Sequence, residues 1–250
     1  MRLSIGTSGY SYKEWKGPFY PEKLAASKML AYYAERLPAV EINNTFYRLP
    51  RAQVLETWSD QVPEDFRFSI KASRRITHFK RLRGADDETG YLLSTLETLG
   101  SRLGAVLFQL PPNLKCDVDR LASFLGLLAK GTRAAFEFRH ESWHDDAVHG
   151  LLRERNFALC QSDSDDAPLE QVTSTADWGY LRLRRPGYTA GGLADWAGRV
   201  RETGWNEAFV FFKHEDEGAG PKMATEFLGL AGRPPLRKVA SRRRSASETG

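Results

Sequence analysis

A single (β/α)₈ barrel of the TIM type, an α/β fold, is predicted by three observations on this 250-residue chain. Eight short apolar runs alternate with about seven stretches of helical pattern, the count and size expected of one such barrel. Near the carboxyl ends of these runs, polar side chains recur at a spacing of two, which puts them on one face of a strand. A hydrophobic content of 41%, with 12% aromatic residues, is enough to fill one large core.

The first run, residues 3–6, leads through TSGYSYKEWKGPFYP into a helical stretch across 21–36. The second, AVEINNTFYRLP from Ala39 to Pro50, sets the pattern for the rest. Val40 and Ile42 share one face of the strand and Glu41 and Asn43 the other. A helix is predicted over 51–61 and a third strand over 66–71, with the long loop ASRRITHFKRLRGADDETG ahead of a helix across 91–99. The fourth strand, 105–109, precedes a helix over 117–128 for which Asp117 is the N-cap. The fifth, 134–138, precedes a helix over 145–154. The sixth, 157–161, is followed by the acidic loop SDSDDAPLEQVTSTADWG, which has no helical pattern, so the barrel is expected to be irregular around strands six and seven. Strands at 180–184 and 208–213 precede helical stretches at 192–202 and 221–230. The barrel domain is accordingly placed at 1–232.

Charge is distributed unevenly. The net charge is +4, yet residues 233–250 alone carry +5: Arg233, Arg237, Lys238, Arg242, Arg243 and Arg244 against Glu248. The remaining body has 30 basic against 31 acidic residues, or −1. The segment GRPPLRKVASRRRSASETG is rich in Pro, Ser and Arg without apolar periodicity, so a disordered tail is expected over 233–250. A near-neutral body weakens, without removing, a nucleic-acid partner. Cys116 and Cys160 lack CxxC spacing and predict neither a zinc site nor a disulfide framework. No apolar run approaches the ~18 residues of a membrane helix, and the N-terminus has no apolar leader, which together predict a cytoplasmic protein that is not a membrane partner. The oligomeric state is not legible.

The chemistry concentrates at the carboxyl ends of the strands. Glu41 and Asn43, Ser69 and Lys71, Gln109, Glu137 and Arg139, Asp163, Arg182 and Arg184, and Lys213 all fall there. In a closed barrel such sets converge on the upper mouth. An isolated buried ion costs several kcal/mol, so these charges make sense only as a compensating network. Two readings of that network stay open. It is either a salt-bridge layer plugging the barrel or a pocket that receives a small anionic or phosphorylated ligand.

The stretches IGTSGYSYKEWKGPFYP, VEINNTFYRLP, FSIKASRRITH, LFQLPP and FEFRHESW together resemble the YecE-like family, known as domain of unknown function 72. The resemblance spans roughly residues 3–230 and implies a TIM-barrel fold; it implies no settled activity. Its motif residues fall on Trp15, Phe19, Tyr20, Pro21, Glu41, Asn43, Thr45, Phe46, Tyr47, Lys71, His78, Gln109, Pro111, Pro112, Glu137, Arg139, His140 and Trp143. The chain departs from the pattern at its last strand, reading Phe212-Lys213-His214 where many relatives have Phe-Asn-Asn.

Catalytic roles are assigned to Glu41 or Glu137 as general acid or base, to His140 for the same work, and to Lys71, which binds the anion together with Arg139 and Arg182 or instead forms a Schiff base as an amine of lowered pKa. Substrate contacts are assigned to Asn43, Gln109, Arg139, Arg182 and Lys213. An aromatic rim of Trp15, Tyr20, Phe46, Tyr47 and Trp143 is set beside the alternative of loops packing on one another. His78, in a loop with Arg74, Arg75, Lys80, Arg81 and Arg83, suits phosphate contacts or plain solvation. Pro111-Pro112 reads as a rigid turn. A divalent metal on Glu41, Glu137, His140 and Asp163 is the alternative cofactor, opposed by the cations at the same level and by the lack of an HxH or HxxxH pair. The function predicted is an enzyme acting on an anionic substrate, with nucleic-acid binding and a non-catalytic anion-binding module as alternatives.

Overall fold

The alternation of runs closes on itself. In the computed structural model, which describes residues 1–213 and 216–232, eight parallel strands form a closed barrel in chain order, each hydrogen-bonded to its neighbours and the last to the first. They are β1 (Arg2–Ser8), β2 (Ala39–Ile42), β3 (Arg67–Lys71), β4 (Leu103–Gln109), β5 (Ala134–Glu137), β6 (Ala158–Asp163), β7 (Trp178–Leu183) and β8 (Glu207–Phe212). The α-helices among the described residues are α1 (Met29–Ala34), α2 (Ala52–Ser59), α3 (Asp86–Leu96), α4 (Val118–Leu125), α5 (Asp146–Glu154), α6 (Ala190–Glu202) and α7 (Ala219–Leu230). The tail predicted to be disordered lies outside the described residues, as does His214. No described helix is long and apolar enough to cross a membrane.

The period of two sorts the strands into two cores. One set of side chains faces the helices and packs as a large cluster that includes Ile5, Val40, Ile42, Phe68, Ile70, Phe108, Phe136 and Val210. The other fills the barrel. Ala39, Ala105, Ala135 and Ala158 leave room there for Trp178, Tyr180, Phe209 and Phe211, so two adjacent strands supply most of the bulk. Tyr33 of α1 fixes where β1 meets β2, its hydroxyl accepting from Thr7 N at 2.8 Å and donating to the Ala39 carbonyl at 2.9 Å. A Cβ on Gly6 would sit 1.8 Å from that carbonyl oxygen, so the approach requires glycine.

Three expectations change in detail. The helix predicted over 21–36 shrinks to α1, preceded by a 3₁₀ turn at Ala26–Lys28. The long loop after β3 contains a π-helical turn at Arg75–Phe79, and α3 starts earlier than predicted, with Asp86, Asp87 and Glu88 in its first turn. Three carboxylates there favour the positive end of the helix dipole, a signal outweighed by the polarity of the stretch. Asp117 caps α4 as predicted, accepting from Arg120 N at 2.9 Å.

The irregularity around strands six and seven is present. The segment 164–177 forms no α-helix and runs along β6 as a strap. Thr175 Oγ1 accepts from Leu159 N and donates to the Phe157 carbonyl, both at 2.8 Å, and Gln161 pairs with the backbone of Thr173. The β5–β6 ladder pairs only Ala135 with Ala158 and Phe136 with Leu159. Beyond its end a cavity of about 870 Å³ opens, lined by Glu137, Arg139, Cys160, Ser162, Arg184 and Lys213 among others.

Candidate functional site

The floor of the mouth is a layer of matched charge. Glu41 ends β2 pointing inward, fully buried, and accepts from Ser8 Oγ (2.8 Å), Asn43 Nδ2 (2.9 Å), Tyr180 Oη (2.7 Å) and Arg182 (2.9 Å). Glu137 at the end of β5 accepts from Gln109 Nε2 (2.7 Å), Arg182 (2.8 Å) and Arg139 Nε (3.2 Å). Arg182, 3% exposed, thus bridges two carboxylates from strands three apart in the barrel, β2 and β5. Burial pushes both carboxyls up, but for each the attraction of Arg182 and the hydrogen bonds together outweigh it. Glu41 ends below the ordinary carboxylate range and Glu137 falls to about 2. Burial and the Glu41 charge drive Tyr180 well above its ordinary value, so its hydroxyl stays a donor.

Above this floor the charge is unmatched. A cavity of about 470 Å³ is lined by Ser8, Tyr12, Asn43, Phe46, Tyr47, Lys71, His78, Gln109, Arg139, Arg182, Arg184 and Lys213. It meets the larger cavity beside β5 and β6 at Arg139, Arg184 and Lys213, which line both. Among the described residues, the side chains of Lys71 and Arg184 make no hydrogen bond or ion pair. Lys71 Nζ lies 4.3 Å from the centre of the Phe46 ring. Burial, then Arg182, lowers Lys71 to about 8 against the pull of Glu41 and Glu137. Burial and Arg182 also lower Arg184. His78, carried into the cavity by the π-helical turn, packs edge-on against Phe46 at 4.8 Å. Burial lowers its pKa first, then Lys71 and Arg139, so it is neutral at pH 7.

Ten of the predicted residues therefore converge: Glu41, Asn43, Tyr47, Lys71, His78, Gln109, Glu137, Arg139, Arg182 and Lys213. Three do not. His140 caps a 3₁₀ turn, its Nδ1 accepting from Ser142 N at 3.2 Å, and lines neither cavity. Trp143 is buried, stacks on Phe138 at 4.7 Å and donates to the Leu114 carbonyl at 2.7 Å. Trp15 is buried among Tyr12, Phe19 and Tyr20. The rim thus reduces to Tyr47 and Phe46, with Tyr47 68% exposed. Ser8 and Tyr180 are not among the predicted residues, and Arg184 is predicted at the mouth without a ligand role. Tyr180 and Arg184 flank Arg182 at the period of two, and that spacing was the available signal.

The residues do not suit a metal. Among the described residues no three of His, Cys, Asp and Glu gather as a ligand group. Glu41 and Glu137 are taken by Arg182, and Asp163 is held by Arg185 (2.7 and 2.9 Å) and Tyr188 (2.8 Å). Cys160, 4.0 Å from Glu137 and fully buried, is pushed well above the ordinary thiol range by burial and that carboxylate, so it is not a nucleophile at neutral pH.

A closed parallel barrel with a matched ionic floor and a cation-lined mouth defines a (β/α)₈ protein of the TIM type. The chain belongs to the family described as protein of unknown function DUF72, whose family model matches residues 4–246 and so extends beyond the resemblance read over 3–230. It is 34% identical over 139 residues to the UPF0759 protein YecE of Escherichia coli (strain K12), covering 55% of this chain and 48% of that protein. It is 29% identical over 149 residues to the UPF0759 protein YunF of Bacillus subtilis (strain 168), covering 56% and 52%. These matches span about half the length of either relative. The crystal structure of a DUF72 family protein from Thermotoga maritima MSB8 superposes with a TM-score of 0.79 at 26% identity, covering 92% of this chain and 99% of that one.

Proposed function

We propose that the barrel mouth binds a small anionic substrate, phosphorylated or otherwise, and that the protein is an enzyme acting on it. The observation that carries this reading is the side chains of Lys71 and Arg184, two cations beside a cavity that form no ion pair among the described residues. A fold seeking only stability has little use for such charges, since each is pressed by Arg182 and the pull of the more distant Glu41 and Glu137 does not offset that together with burial. The floor offers a second support. Arg182 Nε and Asn43 Oδ1 are buried with no partner among the described residues, and an unmet buried group costs about 1–3 kcal/mol until something satisfies it.

The division of labour follows from the electrostatics. Glu41 and Glu137, both held ionised by Arg182, are poor general acids and weak bases at neutral pH, so their role is to orient Arg182, Asn43 and Gln109. Lys71, lowered to about 8, and His78, also lowered, are the acid–base groups that line the cavity above the floor. Acid and base work therefore moves from the carboxylates and His140 to these two.

The test is a thermal-shift screen with sulfate, inorganic phosphate, sugar phosphates and nucleotides, followed by turnover assays on those that bind. A ligand present at 100 times its Kd stabilises by about 2.7 kcal/mol. If no anion at millimolar concentration raises the melting temperature, the matched floor is a structural plug and the reading fails. Binding without turnover of any hit favours the non-catalytic module.

A nucleic-acid partner is favoured by one feature. The Arg74 guanidinium lies 5.2 Å from both the Tyr47 and Phe79 rings, two exposed aromatics at the rim. Its signature would be oligonucleotide affinity that falls steeply with salt on logarithmic axes.

A further inference from the structure

We propose that Lys71 is a Schiff-base lysine and that the substrate is a small aldehyde or ketone carrying a phosphate, its anion held where Arg139, Arg184 and Lys213 line both cavities. This deepens, and rests on, the anion-binding reading of the same mouth.

The argument starts from what an imine-forming amine requires. It must reach a cavity, be spared an ion pair, and stand unprotonated for a useful fraction of the time. Lys71 closes β3, and its amine overlies the Phe46 face in the cavity with no carboxylate within ion-pair distance among the described residues. Glu41 and Glu137, the acids that would otherwise hold it as an ammonium, are both committed to Arg182. Burial, then the charge of Arg182, lowers its pKa to about 8, and some tenth of the amine is neutral at pH 7.

The geometry also separates nucleophile from anion. Lys71 lines only the smaller cavity, while Arg139, Arg184 and Lys213 stand where it meets the larger one. A ligand bound by its phosphate at that junction can extend toward the amine. The chemistry then balances without a co-reactant. The Nζ lone pair attacks the carbonyl carbon as the π pair moves onto oxygen, giving a carbinolamine. Both amine protons leave with that oxygen as water, and a C=N bond replaces C=O. His78 is placed to carry the proton between nitrogen and oxygen. It packs on the same Phe46 ring, its Nδ1 is engaged by Thr77 Oγ1 at 2.9 Å, and its Nε2 makes no hydrogen bond among the described residues.

The probe is pyridoxal 5′-phosphate, an aldehyde bearing a phosphate, with pyridoxal as its uncharged counterpart. The full chain is incubated with each, reduced with borohydride, digested and mapped by mass spectrometry. The expected result is one saturable adduct on Lys71, formed at least tenfold faster with the phosphate, suppressed by inorganic phosphate, and rising with pH through about 8. Lys71→Arg should abolish the adduct while keeping phosphate-induced thermal stabilisation, because arginine supplies charge without an imine-forming amine.

Adducts scattered over surface lysines with Lys71 unmodified, in a protein that phosphate still stabilises, overturn the Schiff-base role and leave the anion pocket standing. Loss of both the adduct and the phosphate shift overturns the two together. Equal labelling by pyridoxal and its phosphate overturns the phosphate-bearing substrate class.

Discussion

At the amino end of the barrel Glu207 accepts from Ser4 Oγ at 2.9 Å and from Arg133 at 2.5 Å, with Arg2 Nε at 3.6 Å. At the carboxyl end Glu41 and Glu137 share Arg182. Both ends bury carboxylates under arginine, and both gather several cations. What their cations touch separates them. At the amino end Arg2 also donates to the Asp65 carbonyl, Arg67 to those of Glu64 and Phe66, and Arg133 lies over Trp178 and Phe209. Each is occupied. At the carboxyl end the side chains of Lys71 and Arg184 line a cavity without a hydrogen bond or ion pair among the described residues. Positive charge alone thus marks neither end as a site; charge left over after local pairing does.

The largest expected effect tests the ionic floor. Arg182→Leu strands two buried carboxylates, and breaking such a pair costs about 3–5 kcal/mol. Arg133→Leu leaves Glu207 with Ser4 and Arg2 and removes a partly exposed partner, so about 1 kcal/mol is expected. Denaturant unfolding of both variants measures the gap. Equal losses would break the comparison.

Acid comes next. Because Glu137 is depressed to about 2 and Glu41 is also lowered, their contribution is present above the unfolded carboxyl pKa and is lost as pH falls through the folded values. Stability should therefore decline between about pH 5 and pH 2. Glu137→Gln should flatten that decline in unfolding measured across the window, and an unchanged slope would show that carboxylates elsewhere carry it.

These first two tests rest on parts of the molecule that differ in how legible they were. Eight strands could be read because an apolar run bounded by turn residues has one interpretation when helical runs separate all but the sixth and seventh of its copies. The convergence of Glu41, Lys71, Gln109, Glu137 and Arg182 could be read because strand parity is a strict rule. Loop aromatics obey no such rule. Trp15 and Trp143 have the composition of a rim, yet tertiary packing buries them, and nothing local in the sequence distinguishes the two fates. His140 fails for a related reason, since a histidine beyond a strand end can cap the next turn as easily as face the mouth. Tyr180 was overlooked because a mid-strand aromatic looks like core, which it also is, stacking on Phe209 while donating to Glu41. The division of Glu137's partners was hidden too. Sequence adjacency favoured Arg139, whereas the buried bridge comes from Arg182, 45 residues away.

The third test uses that distinction. Arg184→Leu and Arg139→Leu should each weaken binding of a phosphate ligand about tenfold, or ~1.4 kcal/mol, in calorimetry. Stability should change little, since Arg184 has no ion pair among the described residues and Glu137 keeps Arg182 when Arg139 is lost. A stability loss matching that of Arg182→Leu would assign these arginines to the floor and remove the contrast between floor and wall.

The smallest effect concerns Lys213, the position at which the chain departs from the family pattern it resembles. Lys213 follows β8, is half-buried, and lines both cavities, so its ammonium adds to the field at their junction without lying in the bridged floor. Lys213→Asn retains a hydrogen-bonding side chain of shorter reach and removes one charge. At a partly solvated position one charge is worth about 1 kcal/mol or less, which predicts a loss of phosphate affinity of a few-fold at low salt, shrinking as salt is raised. The two arginine variants, being closer to direct contacts, should retain most of their loss at the same salt. Calorimetric titrations of phosphate at two ionic strengths separate the cases. If Lys213→Asn abolishes binding at both, Lys213 is a direct ligand contact, and the departure at the last strand is itself a determinant of which anion this chain accepts.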